Sequence, residues 1–301
     1  MDPNGNVEMQ RDKWFFAFAS VIGNSHITDN LPCQDACHVE QFDTFSVAIV
    51  ADGAGSCKNS HIGSKQVVEF CVYHFAKLIN EQDWVNDFPN KEVWYSAAKE
   101  TLRSVRMDLE KYSITNDLPF KSLACTVILA LCLPDGLLVS HIGDGRAGYF
   151  SPSTKWKAMI MPFHGQEANE TVFITSDIWD DDTLTDRYVE SLVINEPVDA
   201  FCLLSDGCEK SSFEVNLYDT EKKVFFDPNR PFAPFLDPNR TALLQFSEQQ
   251  KSQEDINALW AKFLTDGTEK LRIETDDKTL LLGVRKAELP SKANIDDAKA
   301  G

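Results

Sequence analysis

Three apolar runs in this chain end the same way, in an Asp followed by a Gly. They are VAIVADGAGS (47–56), LLVSHIGDGRAGYF (137–150) and FCLLSDGCEKS (201–211). A fourth acidic pair, Asp276-Asp277, stands just before the apolar run of ETDDKTLLLGV (274–284). Short apolar runs bounded by turn residues read as buried strands, which puts each Asp at the rim of a sheet. The Gly after it lets the backbone turn tightly or approach another group closely. Taken singly, such a turn is ordinary, because Asp favours turns through local hydrogen bonds. Three of them and a fourth acidic pair point to convergence. At ~5 Å and an effective dielectric of about 20, each ionised carboxylate pair costs roughly 3 kcal/mol. A fold that gathers such groups binds cations there.

The bulk composition narrows the rest. With 301 residues the chain can bury a large core. No composition shift marks a second domain, so one domain is expected over 12–286, with flexible tails at 1–11 and 287–301. Asp and Glu number 47 against 29 Lys and Arg, a formal net charge of −18. That leaves no basic excess to neutralise phosphates, which excludes nucleic acid and anionic membrane as partners. No apolar run approaches the ~20 residues that span a bilayer, and no signal peptide is read at the start. The eight Cys do not form a disulfide framework: Cys71, Cys125, Cys132 and Cys202 lie inside apolar runs, as small buried hydrophobes do. Cys33 and Cys37, in PCQDAC, lack zinc-site spacing and read as reduced thiols. The expected location is the cytoplasm.

Strands are expected at 14–22, 45–51, 122–133, 137–142, 199–204 and 278–284. Pro134-Asp135-Gly136 makes 122–142 a hairpin. Apolar residues recur at three- and four-residue spacing over 62–80, 92–112 and about 253–271, which gives three amphipathic helices. Strands and helices do not alternate regularly. The pattern therefore predicts an α+β fold, with antiparallel sheets packed face to face and helices outside. Residues 227–240 contain DPNR twice and four Pro in all; they are expected to be an ordered loop or flap, neither helix nor central strand.

The candidate ligands are oxygen donors: Asp52, Asp144, Asp206 and one of Asp276 and Asp277, with the backbone carbonyl of Gly53. Oxygen sites prefer hard cations such as Mg²⁺ or Mn²⁺. A cluster with room for two ions suits metal-assisted hydrolysis of a phosphate ester.

These segments, in this order, resemble the metal-dependent protein phosphatases (PPM, or protein phosphatase 2C). GNSHITDNLPCQDA (23–36) resembles the family's opening acidic motif, and VAIVADGAGS its second. HIGDGRAGYF resembles the Gly-Asp-Ser-Arg stretch, with Gly145 in place of Ser. LLSDG carries the next ligand, and DDKTLLLGV resembles the closing Asp-Asn-x-Thr motif. The resemblance spans about 14–285. It implies a four-layer α-β-β-α sandwich with metals in a cleft at one end, and hydrolysis of phosphoserine and phosphothreonine by a metal-activated water. It further implies two Mn²⁺ or Mg²⁺ ions, with room for a third. Asp52, Gly53, Asp206 and Asp276 would hold the central pair, Asp144 would serve the additional ion, and Asp35 would hold metal-bound water. Asp277 takes the Asn position.

Several positions depart from the family pattern. The phosphate-binding Arg expected before Asp35 is missing from Asn30-Leu31-Pro32-Cys33-Gln34. His26 is the nearest replacement; a capping or core role is its other reading. Ala54 stands where many members have a His, which bacterial members commonly lack. PCQDA, ADGAGS, GDG, EANET and DDKT together resemble a divergent bacterial branch. That branch is linked with a Ser/Thr kinase and a von Willebrand A-type protein, besides a phosphoprotein substrate. Two alternatives remain on the same fold: a pseudophosphatase that only binds, and a hydrolase of small phosphorylated metabolites.

Overall fold

The computed structural model describes residues 13–163 and 171–286. The expected tails at 1–11 and 287–301, and the first four residues of EANET (167–171), lie outside the described residues. Ten strands build two five-stranded antiparallel sheets. One runs β1 (Lys13–Val21), β14 (Lys278–Lys286), β9 (Ala200–Leu204), β6 (Arg146–Ser151) and β7 (Lys155–Ala158). The other runs β2 (Ala36–Gln41), β3 (Ser46–Ala51), β4 (Val127–Leu133), β5 (Gly136–Ile142) and β8 (Glu190–Ile194). Two short ladders, β10 (Phe213–Glu214) with β13 (Arg230–Pro231) and β11 (Leu217–Asp219) with β12 (Val224–Phe226), form a separate insert.

The central strands are apolar throughout because both of their faces are covered. Along β4, Ile128, Ala130 and Cys132 face the other sheet and pack with Phe16, Val139, Phe201 and Leu281. Val127, Leu129, Leu131 and Leu133 point the other way, as the two-residue period of a strand requires. There they meet α2 (Ser60–Glu81) through Val67, Cys71 and Phe75, and α3 (Lys91–Thr115) through Trp94, Leu102 and Leu109. Two short helices follow, α4 (Asp182–Tyr188) and α5 (Glu209–Ser212). On the far side of the first sheet, α6 (Ala233–Glu248) and α7 (Gln253–Asp266) set Phe235, Leu243, Trp260 and Leu264 against Cys202, Leu204 and Leu282. Three apolar interfaces thus separate four layers, the α-β-β-α order expected. At roughly 1.5–3 kcal/mol per buried large side chain, these interfaces hold the rim described below.

Strand directions bring all the acidic turns to one end. β3 and β5 both pair antiparallel with β4, so their C-terminal ends lie together. β2 enters beside the end of β3, with Ala36 opposite Ala51. In the other sheet the end of β9 meets the start of both its neighbours: Leu204 pairs with Arg146 and with Leu280. The connection from β5 to β6 crosses between the sheets at this same end.

Three expectations change in detail. The 122–133 run begins with a 3₁₀ turn at Phe120–Leu123, and the strand proper starts at Val127. Its lead-in bends away to bridge Cys125 to Gly53. The third amphipathic pattern breaks at Gly267 into α7 and α8 (Glu269–Ile273), where Thr268 caps the new start. The larger correction concerns 227–240. Only its first part is loop and short strand; from Ala233 onward it is α6. Pro234 lies in the first turn, where a missing N–H costs nothing. Pro238 sits inside the helix, and the burial of Phe235, Leu236 and Leu243 outweighs one lost backbone bond.

Trp94 fastens α3 to the sheet: its indole N–H donates to the Val139 carbonyl at 2.9 Å in a buried setting. Trp94→Phe leaves that carbonyl without its extra partner and a small cavity where the larger indole was buried. The expected cost is about 1–3 kcal/mol, read as a lower urea midpoint with an unchanged slope.

Candidate active site

The shared rim carries the acids at graded depth. Asp35 and Asp277 are buried, Asp52, Asp144 and Asp206 are half-buried, and Asp276 is exposed. Each is set by local bonding. Asp52 follows β3, where its N–H donates to Thr126 Oγ1 at 3.0 Å and its carbonyl accepts from Thr126 N–H at 2.8 Å. Asp206 opens a 3₁₀ turn after β9. Asp144 follows Gly143, whose φ of +118° is a conformation that side chains disfavour. Thr171 Oγ1 donates to its carboxylate.

Two of the Asp-Gly glycines are needed for space. A Cβ on Gly53 would stand 2.5 Å from the Gln34 carbonyl oxygen, and one on Gly207 would stand 1.9 Å from that of Asp277. The turn after Asp52 therefore packs directly on the segment carrying Asp35. The turn after Asp206 packs directly on the Asp276-Asp277 segment. Glycine is what lets these acids come together.

Asp277 is saturated by the protein. Its carboxylate accepts from Gly23 N–H at 2.7 Å and from Gln34 N–H at 2.6 Å. His26 Nδ1, on α1 (Asn24–Asp29), lies 2.9 Å from its Oδ2. Asp276 takes one local bond, from Asp277 N–H at 2.8 Å, and otherwise faces out. This division favours Asp276 over Asp277 as an open donor. The structure places His26 buried on Asp277. Asp35 is held by Ser205, whose Oγ donates to its Oδ2 at 2.8 Å; that bond ties the two sheets together.

Charge crowding is visible in the titration of these groups. Burial, then the charges of Asp35, Asp206, Asp144 and Asp276, push the Asp52 carboxyl well above the usual carboxylate range. Burial, then Asp276 and Asp144, push Asp206 up to about 7. Burial raises Asp35 to about 6, against hydrogen bonds from Thr279 and Ser205 and one shared with Asp52 that pull it down. The largest charge effects on Asp52 all come from other acids. Asp35, Asp52, Asp144, Asp206 and Asp276 are therefore neighbours in electrostatic terms. No three of the described His, Cys, Asp and Glu groups are drawn tightly enough to form a ligand shell by themselves. The donor set is oxygen throughout, mutually repelling and open at Asp276, which fits hard divalent cations.

Two residues at the rim escape a reading of the sequence. Thr171 closes EANET, a stretch read only as a mark of the bacterial branch, and nothing in it points to Asp144. Arg146, the last residue of GDGR, is 1% exposed yet carries a guanidinium. Its Nε donates to Glu209 at 3.0 Å, its Nη1 to Asn229 at 2.8 Å, and a further pair joins it to Asp227. The first DPNR copy thus closes on the turn after Asp144. A buried Arg demands partners, and that demand was the available signal; which acids would answer it was not readable.

Comparison with known proteins agrees with this geometry. The family described as Protein phosphatase 2C matches residues 22–259. The chain is 28% identical over 278 residues to the serine/threonine-protein phosphatase 3 of Escherichia coli (strain K12), covering 90% of this chain and 98% of that protein. A serine/threonine phosphatase from Staphylococcus aureus superposes with a TM-score of 0.53 at 14% identity, over 94% of this chain and 99% of its own. A serine/threonine phosphatase from S. agalactiae does so with a TM-score of 0.53 at 15% identity, over 90% and 99%. At these identities the solved structures speak for the fold alone.

Raised carboxyl pKa values have a signed consequence. A group protonated more readily when folded stabilises the fold at low pH and loses that contribution as pH rises through its folded value. The metal-free protein should therefore lose stability between about pH 4 and pH 7, as Asp35 and Asp206 pass from the unfolded carboxylate range to their folded values of about 6 and about 7. Asp206→Asn should flatten this slope. Mn²⁺ needs the ionised acids, so it should raise the melting temperature more at the higher pH. Thermal melts at both pH values, with and without Mn²⁺, read all three effects.

Proposed function

This chain belongs to the protein phosphatase 2C family, and from that premise we propose that its acid rim is the hydrolytic centre of a serine/threonine protein phosphatase. The family is metal-dependent. In this reading Asp52, Asp206, Asp276 and the Gly53 carbonyl hold a central pair of Mn²⁺ or Mg²⁺ ions, and Asp144 serves a further one. Bound there, such ions supply Lewis acidity and neutralise charge on a phosphoryl group passing to water.

The remaining work falls to the chain. Burial raises the Asp35 carboxyl to about 6, which suits it to hold or release a proton beside the attacking water. Ser205 fixes its orientation. Thr171 orients Asp144. His26 acts through Asp277: together they clamp Gly23 and Gln34, and so hold the segment that carries Asp35. That makes His26 a positioning residue in place of the phosphate-binding role that its nearness to the missing Arg suggests.

The observation that carries the reading is the convergence of acids from five separate segments on one rim, with every leading charge effect on Asp52 coming from another acid. The relatives' names favour phosphoprotein hydrolysis over the small-metabolite and binding-only alternatives. A kinase and a von Willebrand A-type protein as partners rest on the motif resemblance alone. The eight free thiols suit a reducing compartment, and among the described residues no helix is long and apolar enough to cross a membrane.

The purified protein should hydrolyse 4-nitrophenyl phosphate with Mn²⁺ and stop in excess chelator. Asp206→Asn should lower kcat/KM by at least about a hundredfold, since it removes a carboxylate needed in the transition state. Full activity in that variant would sink the proposal. His26→Ala should lower kcat and the melting temperature while leaving KM near its original value. A raised KM with kcat retained would return His26 to the phosphate.

A further inference from the structure

Beside the acid rim lies a cavity of about 650 Å³ that the hydrolytic chemistry does not use. That volume is in the ~300–1,000 Å³ range of ligand pockets. Phe213 and Phe232 line it together with Ile273 and Leu217, and its charged edge is Lys210, Arg230 and Lys270 against Glu214 and Glu274. We propose that this cavity is the subsite for the substrate polypeptide, taking an apolar side chain and an adjacent acidic one near the phosphorylated residue.

Three observations converge on this. The first is position. Lys210 follows Asp206 closely enough to feel its charge. Glu274 accepts from the N–H groups of Thr275 and Asp276, so one wall of the cavity is continuous with the open acid Asp276. A phosphorylated side chain at the rim would bring its neighbours in the polypeptide here.

The second is charge. The chain carries 47 acids against 29 Lys and Arg, a field that repels a phosphorylated, acidic segment. Around this cavity three cations face two carboxylates. Lys210 pairs with Glu274 at 2.9 Å, and Arg230 pairs with Glu214. Lys270 donates to the Lys210 carbonyl at 2.6 Å and lies over the Phe232 ring, so in these contacts its charge is not cancelled by a carboxylate.

The third is an apolar surface. Leu217 begins the β11–β12 hairpin, whose Tyr218, Val224, Phe225 and Phe226 are all exposed, Phe225 by 72%. Clustered exposed aromatics of this kind mark interaction sites. The hairpin's root is fixed to the rim through Arg146, Asp227 and Asn229. The aromatic face is therefore held at a set place relative to the acids.

This inference rests on the phosphatase reading, and the test separates the two. Two phosphoserine peptides are compared, one flanked by Phe and Glu and one by Ala at the same places, with 4-nitrophenyl phosphate as a substrate too small to reach the cavity. The variant is Lys270→Glu with Ile273→Ser; both side chains are exposed, so the core is untouched. Its kcat/KM on the Phe/Glu peptide should fall by about tenfold or more, and change by less than about twofold on the other two substrates. Phe225→Ser should act in the same direction. Equal losses on all three substrates, or none on the Phe/Glu peptide, would overturn the subsite. So would a self-associated wild type that the variant converts to monomer with unchanged peptide kinetics, since the face would then serve a second copy. If the wild type does not hydrolyse 4-nitrophenyl phosphate, the phosphatase reading fails alone. Anisotropy of the labelled Phe/Glu peptide then decides the subsite: weaker binding to the variant supports it, and equal binding overturns it.

Discussion

Mutual repulsion among carboxylates at one end of the sandwich is the constraint that the rest of this structure has to meet. Burial and like charge both work against ionising Asp52, and no nearby cation leads among the effects on it. The stabilisation that holds the acids in place comes from elsewhere. Three apolar interfaces fix the strands, and the strand ends fix the acids. Where the rim needs its own support, the supporting groups are polar and buried. Ser205 joins Asp35 across the two sheets, Asp277 collects two backbone N–H groups, and Arg146 neutralises Glu209 and Asp227 behind the turn that carries Asp144.

This arrangement separates two classes of acid that look alike in the sequence. Asp276 and Asp277 are neighbours, yet one is exposed and the other is 2% exposed with its oxygens engaged. An acid whose oxygens are taken up by N–H donors serves the fold. An acid left open beside others retains its repulsion and gains most from a cation. From Asp277 through Asp52 to Asp276 the protein leaves the carboxylate progressively more open.

Much of this was legible in the residues because the signals were local. Continuous apolar strands such as β4 and β9 announce burial on both faces, and the recurrence of acid and glycine after them places the rim. What escaped was set by distant partners. Pro238 reads as a helix breaker, and only the packing of Phe235 and Leu243 against the sheet overrides it. Arg146 and Asp227 are 81 positions apart, so nothing near either residue reveals the pair. His26 stands close in sequence to where a phosphate ligand was sought, while its contact, Asp277, comes from the far end of the chain.

The two DPNR copies show how position in the fold decides what a motif does. In the first, Asp227 and Asn229 turn inward to Arg146, so the copy fastens the insert to the acid rim. In the second, Asp237 accepts from the Trp156 indole at 2.9 Å, and Arg240 lies over the Phe150 ring, so the copy seats α6 on the sheet. In both copies the Asp joins the 213–248 region to the first sheet, Asp227 through Arg146 and Asp237 through Trp156. A region fastened twice in this way can present an exposed aromatic hairpin at a constant distance from the acids, and polypeptide recognition beside a hydrolytic centre requires that constancy.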